Sequence, residues 1–284
     1  HINRSDYQGQ CVGRYANRIA GGKFTVNGTE YQVDCNEDGV KSLHSSGEFA
    51  HANWSAEEIG DNSVEFSFVS PDGTYGFPGT LTAKCRYTLT HDNQVVIEYS
   101  AVSDKATIIN FTNHAYFNLA GCNSGDVLGH VLWIDADAFT PTTPDSIPTG
   151  EIRPVEGTPF DFRDFKAIGK DIDADDEQLR LGRGYDHNFC LNDSEGPIAA
   201  AYEPESGRFL EVFTDLCGVQ LYTGNFLKNP AHPFKGGYPQ NKQALFCLET
   251  QKMPDAINKP HFTSVVLNPE EKYDYTTIYQ FSVK

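Results

Sequence analysis

The chain has 284 residues, and its 39 acidic and 22 basic side chains give a formal charge of −17. This negative excess argues against binding to nucleic acid or to an anionic membrane, because both partners are negatively charged. A hydrophobic fraction of 39% excludes a disordered chain, and the length suits one large domain or two modest ones.

Apolar and polar residues alternate along much of the chain, in the order that β-strands require. The pattern is clear at 64–68, at 273–283 and across 81–99, where two alternating runs flank the turn His91-Asp92-Asn93 and predict a hairpin. Helical patterning is weak and is best at 175–181. We therefore predict an all-β fold, a single antiparallel β-sandwich or barrel-like domain with little helix.

Segment 139–165 is rich in proline, which disfavours a helix or a central strand. We expect this segment to be a long loop that crosses the surface.

Cysteine content gives an expectation for the compartment. The seven cysteines include no C-x-x-C pair, so we expect free, mostly buried thiols and a reducing location, the cytoplasm. The polar first ten residues show no signal-peptide pattern, and no apolar run is long enough for a membrane helix. We expect a monomer or a weak dimer.

Familiar catalytic motifs are not visible. The histidines and cysteines lack metal-ligand spacing, and no nucleophile elbow or phosphate-binding glycine loop occurs. We therefore predict no metal and no cofactor. Five short polar clusters stand out instead: 13–22 (GRYANRIAGG), 43–47 (LHSSG), 110–121 (NFTNHAYFNLAG), 184–189 (GYDHNF) and 248–251 (LETQ).

Each cluster has a structural explanation as well as a functional one. Glu249 follows four apolar residues, and a buried carboxylate needs a partner or a function; the structural explanation is a salt bridge, for example with Arg18. Asn17 and Asp186 could organise turns. A pair of carboxylates and histidines on a β scaffold is compatible with acid–base chemistry on sugars but does not require it.

Together the clusters resemble the galactose mutarotase (aldose 1-epimerase) family. The similarity rests on 13–19, 112–119, 185–189 and 248–251 followed by Pro254-Asp255, and it extends in order to 273–277 (YDYTT). The resemblance implies a large antiparallel β-sandwich, the galactose mutarotase-like supersandwich, as one domain over 1–284 with a sugar site in a cleft. It also implies interconversion of the α and β anomers of D-galactose or D-glucose without a cofactor.

The same resemblance implies a role for six residues. Glu249 is the expected general base, His114 the general acid and His44 a supporting acid or polarising group. Arg18 and Asp186 are expected to bind sugar hydroxyls, assisted by Asn17. A carboxylate and an imidazole on opposite sides of the sugar supply both proton transfers that ring opening needs.

Two departures from the family pattern lead to further expectations. Ser45-Ser46 replaces a Gly-Gly pair, and serine would disturb a backbone that needs glycine. Only ten residues precede Cys11, so we expect the family's N-terminal strands to be absent from this sequence. Two alternatives stay open: a hexose-6-phosphate 1-epimerase, and a non-catalytic sugar-binding protein on the same scaffold.

Overall fold

The structure is a computed structural model that describes residues 7–227 and 233–284. The described residues form two compact units. The first comprises 7–113, 214–217 and 250–278, and the second comprises 114–213, 218–249 and 279–284 apart from the undescribed gap. Neither unit is one continuous stretch of sequence, and the single-domain expectation stays a prediction.

Strands dominate the described residues. They are β1 Cys11–Val12, β2 Arg18–Ala20, β3 Lys23–Val26, β4 Thr29–Gln32, β5 Lys41–Leu43, β6 Ser55–Ile59, β7 Ser63–Ser70, β8 Leu81–Leu89, β9 Gln94–Ser103, β10 Thr107–Ile108, β11 Thr112–Asn113, β12 Val131–Ile134, β13 Ala138–Thr140, β14 Arg153–Pro154, β15 Lys166–Ala167, β16 Asp186–Cys190, β17 Ala199–Tyr202, β18 Arg208–Thr214, β19 Gly218–Tyr222, β20 Cys247–Gln251, β21 Val266–Leu267 and β22 Tyr273–Val283. The α-helices are α1 Glu48–His51 and α2 Glu177–Gly182, and the 3-10 turns are His44–Gly47, Thr74–Gly76, Ile168–Lys170 and Ala256–Asn258.

The first unit is built on an antiparallel sheet in the order β22-β9-β8-β7-β6. The predicted hairpin is confirmed as β8 and β9, which pair from Leu81 with Ser103 to Leu89 with Val95. Side chains of β8 alternate between buried and exposed near its start, as the period of two requires. Its aromatic core includes Phe49 in contact with Phe111 at 5.1 Å between ring centroids.

The second unit contains the sheet β14-β13-β16-β19-β20 and the strands β15-β12-β17-β18. Its core corrects one expectation about 139–165. Phe139 is buried in β13 and stacks on buried Phe160 at 4.2 Å, and β13 lies between β14 and β16. The segment therefore supplies core side chains as well as loop. Exposing its phenylalanines to water would cost more free energy than accommodating its prolines in the fold. Pro154 occupies the edge strand β14, where a missing N–H is tolerated.

The cysteines and helices test two further expectations. None of the seven cysteines, all of which lie in the described ranges, forms a disulfide. The prediction that they are mostly buried is wrong, because only Cys85 and Cys247 are buried. Among the described residues, no helix has the length and apolar character that a membrane span requires.

Candidate active site

Backbone pairing in the second unit brings His114 to strand β20. Phe117 N–H donates to the Phe246 carbonyl at 2.7 Å, and Phe246 N–H donates back to the Phe117 carbonyl at 3.0 Å. This bridge fixes the chain three residues after His114 to the residue immediately before β20. Every residue of β20 is buried, so the strand carries Glu249 into the interior, as the apolar run before it predicts.

His114 and Glu249 form a buried acid–base pair. The distance from His114 Nε2 to Glu249 Oε2 is 3.6 Å, and the two residues are only 6% and 3% exposed. Burial lowers the pKa of His114 to about 4, and a hydrogen bond from the ring to its own backbone carbonyl partly opposes this. The adjacent carboxylate favours a protonated ring, so the pair can hold and release a proton.

Three further side chains enclose the His114 ring. Tyr116 stacks on its face with 4.9 Å between centroids and 8° between planes. Tyr222 stands edge-on at 6.4 Å. The thiol of Cys247 lies 3.6 Å from Nδ1. The ring is thus contacted on a face, on an edge and at both nitrogens.

Asp186 is positioned by the neighbouring strands. It begins β16 and pairs with Tyr222 in the register of β19. Gln220 Nε2 donates to Asp186 Oδ1 at 2.8 Å, which fixes one carboxylate oxygen. Asp186 is only partly buried, so its carboxylate combines a fixed orientation with access to solvent.

His187, the neighbour of Asp186, is a core residue. It is fully buried, its Nε2 lies 3.2 Å from Gln178 Oε1, and its Nδ1 accepts the Asp186 N–H at 3.2 Å. Burial lowers its pKa to about 3, assisted by the positive charge of Arg153. Both ring nitrogens have structural partners, so His187, the one histidine of the 184–189 cluster, stabilises the fold.

In the first unit, Asn17 and His44 are joined by backbone and ring contacts. Asn17 N–H donates to His44 Nδ1 at 3.1 Å, and His44 N–H donates to the Asn17 carbonyl at 3.0 Å. A ring whose Nδ1 accepts carries its proton on Nε2 when neutral. The Asn17 side-chain oxygen accepts the Arg18 N–H at 2.9 Å, and Asn17 has a φ of 64°, so its side chain supports a local bend of the backbone.

Arg18 is held by a carboxylate of the same unit. Its Nε and one terminal nitrogen donate to the two carboxylate oxygens of Glu37 at 2.7 and 2.9 Å. Lys41 Nζ lies 3.8 Å from the same carboxylate. This bidentate pair is geometrically specific and fixes the guanidinium plane.

The serine pair has a left-handed backbone. Ser45 and Ser46 have φ of 48° and 56°, between His44 at 52° and Gly47 at 75°. Ser45 Oγ accepts the Tyr15 N–H at 2.8 Å and donates to the Tyr15 carbonyl at 3.1 Å, while Ser46 Oγ donates to Asp34 at 2.6 Å. The expected need for glycine-like backbone is present here, and the hydroxyl groups compensate for it.

Within each unit, the structure thus brings His114 to Glu249 and Asn17 to His44. It pairs Arg18 with Glu37 and Asp186 with Gln220, two partners that were not predicted. Sequence reasoning missed Gln220, Tyr222 and Cys247. The sequence did contain an indication for Gln220, because a glutamine inside the apolar run 218–222 (GVQLY) must find a buried hydrogen-bond partner. The predicted absence of a metal and a cofactor stays a prediction, as do the roles of all six residues.

Comparisons with known proteins show the family to which the whole chain belongs. The family model described as aldose 1-epimerase matches residues 1–280. The chain is 45% identical to the galactose mutarotase of Bos taurus and 38% identical to the aldose 1-epimerase of Escherichia coli, covering 100% and 98% of this chain and 81% of each relative.

Solved structures carry the same fold. An aldose epimerase homologue from C. elegans matches with a TM-score of 0.90 and 30% identity, over 99% of this chain and 84% of that one. A galactose 1-epimerase from Lactobacillus acidophilus matches with a TM-score of 0.87 and 29% identity, over 99% and 82%. The all-β, galactose mutarotase-like fold is confirmed, and the chain belongs to the aldose 1-epimerase family of isomerases.

Proposed function

We propose that this aldose 1-epimerase interconverts the α and β anomers of D-galactose and D-glucose with Glu249 as general base and His114 as general acid. The observation that supports the proposal is the buried pair itself, with 3.6 Å between Nε2 and Oε2. A carboxylate and an imidazole at this separation can serve two oxygens that are bonded to the same sugar carbon.

The reaction needs two proton transfers and no redox step. Glu249 takes the proton of the anomeric hydroxyl while the bond between C1 and the ring oxygen breaks. The electrons of that bond move to the ring oxygen, which takes the Nε2 proton of protonated His114. Rotation about the C1–C2 bond turns the aldehyde over, and the reverse transfers close the ring as the other anomer.

Burial and charge suit His114 to this role. The low pKa that burial gives the ring makes its protonated form a strong proton donor. Near neutral pH a ring with this pKa is mostly neutral, so the transfer starts from a minor protonated form that the Glu249 carboxylate faces. Asp186, oriented by Gln220, is proposed to bind sugar hydroxyls, and the roles of Arg18, Asn17 and His44 stay predictions from the family motifs.

Polarimetry on freshly dissolved sugars tests the proposal. We expect the wild type to accelerate the decay of rotation of α-D-galactose and α-D-glucose. Glu249→Gln and His114→Asn should each lower kcat by roughly 10²–10⁴-fold, the usual contribution of a positioned acid or base. Glu57→Gln and His91→Gln change the same residue types at exposed positions and should leave the rate unchanged.

Each other outcome has a distinct meaning. A Glu249→Gln variant that keeps most of the wild-type rate would contradict the base assignment. A wild type that acts on glucose 6-phosphate but not on the free sugars would favour the phosphosugar alternative. Binding of galactose without exchange of anomers would favour a sugar-binding protein.

A further inference from the structure

Cys247 contacts the ring nitrogen that the proposed proton transfer does not use. It precedes Glu249 by two residues on β20, and side chains two apart on a strand share one face. Cys247 Sγ lies 3.6 Å from His114 Nδ1, and Glu249 Oε2 lies 3.6 Å from Nε2. One face of β20 thus contacts both nitrogens of the ring.

The partners of Nδ1 favour a proton on that nitrogen. The ring makes a hydrogen bond to its own backbone carbonyl, and only Nδ1 is near enough to the main chain of its own residue to donate it. A thiol sulfur is a weak acceptor and can share the same proton. With Nδ1 protonated throughout, Nε2 is left as the nitrogen that gives and regains a proton.

A neutral partner at Nδ1 suits an acid that must release its proton. Cys247 is fully buried, and burial, together with the charges of Glu249 and Asp186, raises the pKa of its thiol well above the ordinary value. The thiol therefore stays uncharged. A carboxylate at this position would stabilise the protonated ring further and slow its release of the proton.

Building on the function proposed above, we propose that Cys247 is a positioning residue for the general acid: its thiol holds Nδ1 of His114 and keeps Nε2 as the exchanging nitrogen. The alternative is that Cys247 only fills space and that the His114 carbonyl and the Tyr116 stack hold the ring without it. The two explanations predict different behaviour of the ring when the sulfur is removed.

The test compares Cys247→Ala and Cys247→Ser with Cys85→Ala. The last variant is the control, because Cys85 is the other buried cysteine and lies in the first unit. Anomer exchange is followed by polarimetry for kcat and KM. We expect Cys247→Ala to lower kcat about 10-fold, at the lower end for loss of a partner that orients a histidine, with KM nearly unchanged. The serine variant should recover part of this loss, and Cys85→Ala should match the wild type.

A second readout follows the ring directly. In protein with ¹⁵N-labelled histidine, the ring shifts of His114, assigned by their loss in His114→Asn, report which nitrogen carries the proton. We expect an Nδ1-protonated ring in the wild type and a mixture of tautomers in Cys247→Ala. This readout also separates a change in the ring from a loss of folding, which would broaden or move all the histidine signals.

Three results would overturn or limit the proposal. Wild-type kcat in Cys247→Ala would overturn it, and so would a lowered kcat with an unchanged His114 tautomer, which would indicate packing alone. If the wild type does not exchange anomers, the proposed function fails. The tautomer measurement then still shows whether Cys247 holds Nδ1.

Discussion

The left-handed turn at Ser45 and Ser46 allows a graded test of how side chains stabilise strained backbone. Both residues have positive φ, a conformation that glycine adopts without strain. Their hydroxyl groups differ in surroundings. Ser45 is 1% exposed and bonds both polar groups of the buried Tyr15 backbone, whereas Ser46 bonds Asp34 near the surface.

These contacts give a magnitude for each variant. Ser45→Ala leaves the Tyr15 N–H and carbonyl without their hydroxyl partner. Each unpaired group lowers the free energy of unfolding by about 1–3 kcal/mol. Because solvent or rearrangement recovers part of this, we expect a total loss of about 3 kcal/mol. Ser45→Gly loses the same bonds, but it relieves about 1–2 kcal/mol of left-handed backbone strain. Glycine also makes the unfolded chain more flexible, which costs about 0.5–1 kcal/mol of stability. We therefore expect a net loss of about 2 kcal/mol in the free energy of unfolding.

Ser46→Gly has the same backbone gain and loses only an exposed hydrogen bond worth about 1 kcal/mol. We expect its free energy of unfolding to match the wild type within about 1 kcal/mol. The measurement is denaturation in urea, followed by fluorescence and analysed by linear extrapolation. The expected order of stability is wild type and Ser46→Gly, then Ser45→Gly, then Ser45→Ala. A Ser45→Gly variant as stable as the wild type would refute the reasoning.

Two further predictions concern the second unit. Gln220→Leu removes the amide that orients Asp186, so we expect KM for the sugar to rise several-fold with a smaller change in kcat, measured by polarimetry; an unchanged KM would contradict the proposed binding role of Asp186. Burial lowers the pKa of His187 to about 3 in the folded state, whereas the pKa in the unfolded chain is about 6.5. The folded state therefore favours the neutral ring, and this preference contributes fully to stability above pH of about 6.5. The contribution, up to about 5 kcal/mol, is lost as the pH falls from about 6.5 towards 3. His187→Gln does not titrate and should flatten this part of the stability curve, whereas the exposed His91→Gln should follow the wild type.

Much of the fold was accessible from the sequence because its signal is local. Alternation predicted β8, β9 and β22, and the short helical pattern at 175–181 corresponds to α2. The contribution of 139–165 to the core was not accessible in the same way. Whether Phe139 and Phe160 face solvent or each other depends on pairing between distant strands, and proline content gives no information about that pairing.

In the candidate site, too, local features were predictable from the sequence and long-range contacts were not. The apolar run before Glu249 predicted a buried carboxylate with a partner, and its burial on β20 is confirmed. The identity of the partner was not predictable, since His114 lies far away in the chain and is brought to β20 through the Phe117–Phe246 bridge. The sequence likewise did not indicate which carboxylate Arg18 would contact, because its partner Glu37 lies on another segment of the chain.

His114 and His187 show why burial alone does not identify a catalytic group. Each lies in a polar and aromatic cluster, and burial lowers the pKa of each far below its usual value. They differ in what surrounds the ring. His187 is bound by a backbone N–H and by the Gln178 amide, neither of which can exchange a proton with it near neutral pH. His114 faces the Glu249 carboxylate, which can, so this titratable partner is the feature on which the proposed role of His114 as a proton donor rests.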